Sequence, residues 1–368
     1  MSRLRVLHCI YDDPANPWVG GGGALRVLEL YSRLTDRVDA TVATGAWPGA
    51  RDETIEGVRY ARLGVPRPYA LSRLSYGAAA TRLLERAPYD VGIFDFSGYT
   101  PIRLPRGRRT GIVVHMLHSP AASGRWGRAG AAALGAVERA MLRRSADVCI
   151  TSDWMRRELE PLVRTGTRFH LVRTGVPDDF FAVERRPERV FLYYGRFDIY
   201  QKGLDVLLDA WSGLARDGAA PPLRMLGRGK DAARLGAMVA ERGLGELVSL
   251  HESPSRAEVL DAMTHARALV HPSRFEGLPA VPAEAMAAGV PVVATRVGAV
   301  SEMIRAGGIL IDPELAEPLR DAVRRLDGDA TLRAELSRGA RADAASWQWS
   351  RVADEHVAFL EAVAGRNG

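Results

Sequence analysis

Short apolar runs alternate along the chain with longer amphipathic segments. Strands are predicted at LRVLHCI, DATVAT, VGIFDF, TGIVVHML and ADVCITS in the first half, and at VFLYYG, LRMLG, LVSLH, ALVHPS and VPVVAT in the second. Helix-length segments such as GLDVLLDAWSGLARDG lie between them. Strands that are apolar on both faces and separated by helices are typical of parallel sheets covered on both sides. The pattern therefore predicts an α/β protein with two doubly wound, Rossmann-like domains.

The break between the two runs of strands falls at a polar stretch that carries a proline. We predict an N-terminal domain over 1–183, a linker over 184–189 and a C-terminal domain over 190–345. The segment 346–368 is a helix candidate that would cross back to the first domain. Because doubly wound sheets bind ligands beyond the carboxyl ends of their strands, we expect the two domains to face a central cleft.

Composition and charge narrow the class of protein. The formal net charge is +6, but nearly all basic residues are arginines scattered along the chain, apart from runs such as 103–109 and 143–144. We interpret these runs as solvated faces, expect no nucleic-acid partner and do not favour membrane association. Cys9 and Cys149 lie in apolar runs, as expected of buried thiols in a reducing cytoplasm. No apolar stretch approaches the ~20 residues of a membrane-spanning helix.

A basic pair follows the first strand of the second half. Arg196 comes directly after that strand, and Lys202 and Gly203 precede a helix. Two cations at a strand end beside a helix N-terminus suit a diphosphate. Lysine occurs only at Lys202 and Lys230, so its retention at 202 indicates that a compact ammonium is needed there. Lys230 lies in the turn LGRGKD, where an exposed surface role is an equal alternative.

Two glutamates eight residues apart follow a later strand. The strand ends near His271, and Glu276 lies in the loop that comes next. A helix is predicted to begin near Pro282, with Glu284 in its first turn. Carboxylates suit a sugar because each accepts hydrogen bonds from pairs of hydroxyl groups. The helix dipole alone would also favour a glutamate in a first turn, and that alternative stays open.

The first domain offers a glycine-rich turn and polar side chains at strand ends. Residues 20–23 are glycines that open a helix, so a ligand oxygen could approach their backbone closely; they form neither a dinucleotide fingerprint nor a P-loop. We interpret His115, within a strand, as structural. Asp12, Asp13, Trp18, Asp95, Tyr99 and His118 are candidates for contacting a second ligand on the side of the cleft that this domain would form. In a transfer reaction that ligand would be the acceptor. For the two adjacent aspartates, ordinary turn roles are equally open.

These motifs together resemble one family, the retaining glycosyltransferases of the GT4 group, which has sucrose-synthase-like and mannosyltransferase-like members and the GT-B fold. The resemblance covers nearly the whole chain. It rests on the two glutamates with seven residues between them, the GR…KG segment, the G-x-G turn at Gly227 and the C-terminal segment SWQWSRVADEHVAFLEAVA. Family members usually carry asparagine where this chain has Thr174, and the role of that difference is open.

The resemblance implies a role for each motif residue. Arg196 and Lys202 would contact the donor diphosphate. Glu276 would bind hydroxyls of the transferred sugar, and Glu284 the ribose. The implied donor-binding set is Gly21, Gly22, Gly23, Arg196, Lys202, Gly227, His251, Glu276, Gly277, Leu278, Pro279 and Glu284. The catalytic set is Glu276, His118, Arg196 and Lys202.

We therefore expect a cytoplasmic hexosyltransferase that uses nucleoside-diphosphate sugars, UDP-sugars first and GDP-sugars second. The acceptor would be a hydroxyl of a small soluble molecule such as a natural-product intermediate. The resemblance implies retention of anomeric configuration, and no second carboxylate is evident for a double displacement, which favours a front-face reaction. No metal or other cofactor is expected, because Arg196 and Lys202 supply the countercharge. A membrane-surface glycolipid or cell-envelope glycosyltransferase, a sugar-nucleotide epimerase and a phosphorylase remain alternatives.

Overall fold

The chain forms two compact units in a computed structural model that describes residues 3–19, 21–97, 99–100 and 102–366, without the side chains of 120–126. Unit 1 runs to Gly175 and resumes at Trp349, and unit 2 is Val176–Gln348. Within these described ranges, no helix is both long and apolar enough to cross a membrane.

Unit 1 contains one sheet and the helices around it. Its strands are β1 (Leu4–Cys9), β2 (Val38–Gly45), β3 (Glu53–Ile55), β4 (Val58–Leu63), β5 (Val91–Asp95), β6 (Thr110–Val114), β7 (Asp147–Ile150) and β8 (Arg168–Leu171). Its helices are α1 (Gly22–Ser32), α2 (Tyr69–Arg86), α3 (Ser119–Leu142), α4 (Asp153–Leu159) and, at the end of the chain, α14 (Trp349–Ala364).

Unit 2 repeats this arrangement with a second sheet. Its strands are β9 (Phe191–Tyr194), β10 (Leu223–Gly227), β11 (Val248–Glu252), β12 (Ala268–His271), β13 (Val292–Thr295) and β14 (Gly308–Ile311). Its helices are α5 (Asp178–Phe181), α6 (Ile199–Lys202), α7 (Leu204–Arg216), α8 (Ala232–Glu241), α9 (Arg256–His265), α10 (Ala280–Ala287), α11 (Val300–Met303), α12 (Ala316–Gly328) and α13 (Ala330–Ala344), followed by a short 3-10 helix at Ala345–Trp347.

The strand orders of the two sheets confirm the prediction of two doubly wound units. The first sheet has the order β3-β4-β2-β1-β5-β6-β7-β8, and the second has β11-β10-β9-β12-β13-β14. The described ladders are parallel except for the β3–β4 pair. In each sheet the order reverses beside the first strand of the unit, between β1 and β5 and between β9 and β12. Ligand sites are expected at those two points, beyond the carboxyl ends of the strands.

Apolar side chains fill both faces of each sheet, which is why the central strands read as continuous hydrophobic runs. Every residue of β5, β7, β12 and β13 is buried. Helix α14 belongs to unit 1, because Trp349, Phe359 and Leu360 pack into the core that contains β1 and β5. A side chain at Gly175 would meet the Trp349 ring at 2.2 Å, so the chain passes directly against that indole.

The boundary between the units differs from the sequence-based one. The structure divides the chain at Gly175 and Val176, before the predicted linker at 184–189. Phe180 and Val183 already lie in the unit 2 core. The linker residues form a surface loop whose backbone is bonded within unit 2. Polarity and a proline therefore indicated a loop and not the junction.

Candidate active site

A cavity of about 560 Å³ lies in unit 2 at the carboxyl ends of β9, β10 and β12. Its lining consists of Tyr194, Gly195, Arg196, Lys202, Gly227, Arg228, Ser253, Pro254, His271, Glu276, Pro279, Ala280 and Val281. The position is the reversal point of the second sheet, where the strand order predicts a ligand. The cavity brings together both basic residues and the first glutamate that the sequence singled out.

The centre of this cavity is an ion pair between Lys202 and Glu276. The Lys202 ammonium contacts the Oε1 atom of Glu276, and the two side chains are only 10% and 8% exposed. Lys202 ends the short helix α6, and Gly203 follows it in the left-handed conformation, with φ 61°. A side chain at Gly203 would lie 2.1 Å from the Pro272 carbonyl oxygen, so glycine lets the lysine turn approach the β12 end.

Two further side chains hold the Glu276 carboxylate. The Ser273 hydroxyl donates to Oε1 at 2.7 Å, and His271 Nε2 lies 3.1 Å from the same atom. Burial by itself raises the pKa of Glu276, but the hydrogen bond and charge of His271 and the Lys202 ammonium outweigh it and lower the pKa to about 2. Sequence reasoning named no role for Ser273 or His271, although the HPS triplet at a strand end was the available signal.

Arginine side chains flank the pair. Arg196 lines the cavity and donates from Nη2 to the Gln201 amide oxygen at 2.8 Å. Arg228 lines it as well and was not predicted. Lys230 does not line the cavity; it is 71% exposed and lies 3.3 Å from Asp198, which fits the surface alternative. The cavity is therefore positive around one buried carboxylate.

The start of helix α10 forms another part of the wall. Pro279, Ala280 and Val281 line the cavity, and the helix begins at Ala280, which places Pro282 in the first turn as predicted. No side chain caps this end in the described structure. The N–H groups of Ala280 and Val281 are therefore donors that an anion could use, whereas Pro282 has none.

Glu284 differs from Glu276 in surroundings and in pKa. It lies in the second turn of α10, so the prediction that it sits in the first turn is wrong. Its Oε2 atom is buried and accepts no hydrogen bond from any described residue. Burial raises the pKa of Glu284 to about 7, against the opposing charge of Arg256. Glu284 does not line the cavity, but its charge acts on Tyr194, which does.

Besides Glu284 and the three glycines of unit 1, three residues of the predicted donor set fall outside the lining. His251 is exposed on the edge strand β11, and the next loop contributes Ser253 and Pro254 instead. Leu278 packs against the apolar core, and the Gly277 carbonyl accepts from Ala299 N–H at 2.9 Å. The reason is side-chain direction, which a strand-end position does not specify. Gly227 lines the cavity as predicted; its Cα lies so close to β9 that a Cβ would be 1.8 Å from the Gly195 oxygen.

In unit 1, Asp95 ends β5 at the reversal point of the first sheet. Its carboxylate lies 2.9 Å from His8 Nε2 and 3.0 Å from His115 Nε2. Burial raises the pKa of Asp95, but the two histidines outweigh it and hold the pKa far below its usual range. His8 and His356 both bond the Tyr31 hydroxyl, at 2.9 and 3.2 Å, so the carboxylate ends a buried polar chain that reaches α14.

His118 precedes α3 and is held by Glu138. The His118 N–H donates to Glu138 Oε1 at 2.8 Å, and the imidazole packs edge-on against Tyr99, with 4.8 Å between ring centroids. Hydrogen bonds from His118 and Ser119 lower the pKa of Glu138, although burial alone would raise it. His118 Nδ1 is buried and has no hydrogen-bond partner in the described part of the chain. Both rings of the predicted acceptor pair are therefore adjacent.

The two adjacent aspartates have different roles. Asp13 is fully buried, and its oxygens accept from Thr44 at 2.7 Å, from Arg62 at 3.0 Å and from the Ala15 N–H at 2.9 Å. The prediction that Asp13 binds the acceptor is thus not supported, because its carboxylate is used in holding the turn. Asp12 is only half-buried, and burial raises its pKa.

The glycine-rich turn leads directly into α1. Gly21 is the N-cap residue and Gly22 begins the helix, whereas Gly20 lies outside the described residues. Space is open beside Gly22, and a side chain at Gly23 would lie 3.9 Å from the Asp95 carboxylate. Trp18, just before the turn, is 37% exposed and packs edge-on against Tyr69.

Solved structures share this fold. A sucrose-phosphate synthase of Thermosynechococcus elongatus aligns over 99% of this chain and 100% of its own, with a TM-score of 0.82 and 20% identity. Anabaena HepE, solved in complex with UDP-glucose, aligns over 98% of this chain and 100% of its own, with a TM-score of 0.74 and 16% identity. These likenesses confirm the GT-B fold class.

Sequence comparisons point to the same family. The GDP-mannose:cellobiosyl-diphosphopolyprenol alpha-mannosyltransferase of Xanthomonas campestris is 28% identical over 54% of this chain and 54% of its own length. The match spans about half the length of the curated relatives. The family model for glycosyl transferases group 1 matches residues 177–343, and the model for a glycosyl transferase 4-like domain matches 21–175. The chain belongs to this GT4-like family of glycosyltransferases.

Proposed function

We propose that this protein transfers a hexose-type sugar from a nucleoside-diphosphate sugar to a hydroxyl group of an acceptor. The observation that carries the proposal is the cluster around Glu276 in unit 2. Lys202, Ser273 and His271 all contact its Oε1 atom, and no described residue bonds Oε2. The carboxylate is therefore held through Oε1, and Oε2 is free to accept hydrogen bonds from hydroxyl groups.

The diphosphate of the donor would be held by the positive wall of the cavity. Only one of the three N–H groups of the Lys202 ammonium is needed for the hydrogen bond to Glu276, so the others can donate to phosphate. Arg196 lines the same cavity. The uncapped N–H groups at the start of α10 add donors for phosphate oxygens. Stabilising the charge that develops on the leaving diphosphate is expected to be the largest catalytic contribution.

Glu284 would bind the ribose. Its pKa of about 7 and its unpartnered buried Oε2 suit a carboxyl group that shares hydrogen bonds with neutral hydroxyls. Glu284 can bind the ribose in this way without exchanging its own proton with solvent. Because Glu276 and Glu284 lie in such different surroundings, we assign only Glu276 to the transferred sugar.

The reaction would retain anomeric configuration by a front-face route, in which the leaving phosphate oxygen accepts the acceptor proton. We propose no metal, since Lys202, Arg196 and backbone donors supply positive charge at the leaving group. UDP-sugars are the first donors to test and GDP-sugars the second. HepE, a fold relative, is solved with UDP-glucose, and the Xanthomonas relative is named for GDP-mannose.

The acceptor would be bound by unit 1, where Asp95 ends β5, Tyr99 follows that strand and His118 follows β6. A small soluble hydroxyl compound remains the first candidate. An acceptor carried at a membrane surface is the second, and one observation favours it: several exposed arginines of unit 1 line a cavity beside an apolar groove.

The test is a thermal-shift panel with UDP-, GDP-, ADP- and TDP-sugars, followed by transfer assays with the donor that stabilises. A true donor at a hundred times its dissociation constant adds roughly 2.7 kcal/mol to the free energy of unfolding. Lys202→Met is expected to abolish the shift, whereas Lys230→Met, which removes the other lysine, is expected to keep it. A donor shift that survives Lys202→Met would refute the proposed site.

A further inference from the structure

A second strongly basic cavity lies in unit 1, with a volume of about 610 Å³. We call it the arginine pocket, and define it by six exposed side chains: Arg103, Arg106, Arg109, Arg143, Arg144 and Arg164. They come from three separate parts of the sequence, the loop before β6, the end of α3 and the loop after α4. The fold therefore concentrates charge that the sequence distributes.

The arginine pocket lies at the amino ends of the strands, whereas the candidate acceptor residues lie at their carboxyl ends. Thr110 and Asp147, the first residues of β6 and β7, line it. Asp95 is the last residue of the neighbouring strand β5, and His115 directly follows β6. A strand of this length spans roughly 16 Å, so the pocket is separate from that site.

The charges in the pocket are not balanced by acids. None of the six arginines has an ion pair or a side-chain hydrogen bond with another described residue. The one acid in the lining, Asp147, is already bonded by Arg168 and His170, each at 2.8 Å. Arg108, also in the lining, bonds the Ala87 carbonyl and packs on the Tyr89 ring. Such a concentration of unpaired guanidinium groups is suited to phosphate.

An apolar groove of about 550 Å³ adjoins the pocket and shares Arg103 and Arg144 with it. Helices α2 and α3 contribute Leu74, Val137 and Met141 to the groove. Leu74 is 61% exposed and Val137 38% exposed in this one groove, and neighbouring exposed apolar side chains of this kind are typical of an interaction surface. A phosphate site beside exposed leucine matches a molecule that carries phosphate on an apolar chain.

We propose that unit 1 binds the surface of an anionic phospholipid membrane, with lipid phosphates in the arginine pocket and the apolar groove against the acyl region. Nucleic acid would also satisfy the charge, but among the described residues no aromatic side chain lines either cavity, so none is available there for base stacking. This inference revises the expectation from composition that membrane association is not favoured. It does not depend on the identity of the sugar donor.

The test is co-sedimentation of the full chain with vesicles of phosphatidylcholine alone or mixed with phosphatidylglycerol. We expect binding to the mixed vesicles only, weakened by added salt. The triple variant Arg143→Gln, Arg144→Gln, Arg164→Gln should lower the partition coefficient at least tenfold, because each basic residue near an anionic surface contributes roughly fivefold. Leu74→Ser should lower it further without any change in charge.

The matched control removes three exposed arginines of unit 2, as Arg216→Gln, Arg325→Gln, Arg338→Gln. It has the same net charge as the pocket variant and is expected to bind vesicles as the wild type does. An equal fall of the partition coefficient in both triple variants would show that only net charge matters and would overturn the proposed site. Binding of tripolyphosphate or RNA through the same arginines, with no binding to vesicles, would overturn the membrane as the partner.

Discussion

The Lys202 ammonium contacts the Glu276 carboxylate across 74 positions of sequence, and both side chains are about nine-tenths buried. Burying two opposite charges is expensive, so such a pair is weak evidence for stability by itself. Here it lies in the lining of a cavity, and Ser273 and His271 bond the same carboxylate oxygen. The arrangement is therefore better explained by ligand binding than by folding.

Replacing Lys202 by Met should both destabilise the protein and weaken nucleotide binding. The Glu276 charge would remain buried without its cation, which costs on the order of 3 kcal/mol of unfolding free energy. Urea unfolding and calorimetric titration with UDP and GDP measure the two effects. Lys230→Met serves as the control and should change stability by less than about 0.5 kcal/mol, because Lys230 is exposed. Similar losses in the two variants would contradict this account.

Replacing Glu276 by Gln should separate transfer from nucleotide binding. The amide oxygen can still accept from Ser273 and Lys202, but the negative charge and one acceptor for sugar hydroxyls are lost. We expect the rate of transfer to fall at least about a hundredfold, while nucleoside-diphosphate affinity changes only a few-fold. Activity assays and titrations on the same preparation measure both quantities. Parallel loss of the two would place Glu276 at the nucleotide instead.

Glu284→Gln should raise stability at high pH and leave it unchanged in acid. The folded chain holds the Glu284 proton up to a pKa of about 7, whereas the unfolded chain releases it near 4.5. Stability therefore falls as pH rises through that window, by on the order of 3 kcal/mol. The variant, which cannot ionise, should melt a few degrees above the wild type at about pH 8, with the difference closing towards about pH 5.

Glu276→Gln supplies the opposite sign in the same experiment. In the wild type the pKa of Glu276 is lowered to about 2. The charged carboxylate therefore stabilises the fold above pH 4.5, and that stability is lost as pH falls towards 2. The variant should accordingly be less stable than the wild type at neutral pH. If both glutamine variants shifted the melting temperature in the same direction, the assigned difference between the two glutamates would be wrong.

Tyr31→Phe should destabilise unit 1, whereas Tyr60→Phe should not. The Tyr31 hydroxyl bonds both His8 and His356 in the buried core, and its loss leaves two imidazole nitrogens unpaired. Such a loss costs about 1–3 kcal/mol. The Tyr60 hydroxyl is also buried but has no hydrogen-bond partner among the described residues, so removing it should be neutral or favourable. Urea unfolding of the two variants makes the comparison, and equal destabilisation would count against the polar chain.

The sequence predicted the central strands and the edge strand β11, but it missed β4 and the other three edge strands. Every buried run such as VGIFDF became a strand, because a strand covered on both faces must be continuously apolar. Strands β3, β4, β8 and β14 were not predicted, and β3, β8 and β14 lie at sheet edges. Their residues are largely half-exposed, so their hydrophobic pattern is diluted.

Strand-end positions also predicted that Arg196, Lys202 and Glu276 share one cavity, since the carboxyl ends of parallel strands meet at one edge. The tertiary structure decided three further properties. Asp13 is buried and Asp12 is not, His251 is exposed outside the cavity, and Glu284 lies in an apolar second turn. These properties depend on side-chain direction and on distant neighbours such as Arg62 and Thr44 around Asp13.

By itself, the order of apolar and polar residues determined two parallel sheets and the strand ends at which ligands are expected. Only the tertiary structure brought the arginines before β6, at the end of α3 and after α4 into one pocket, and only it gave the two glutamates pKa values shifted in opposite directions. The physical reason is range. Burial pattern is set by neighbouring positions in the chain, whereas electrostatics and desolvation are set by neighbours in space.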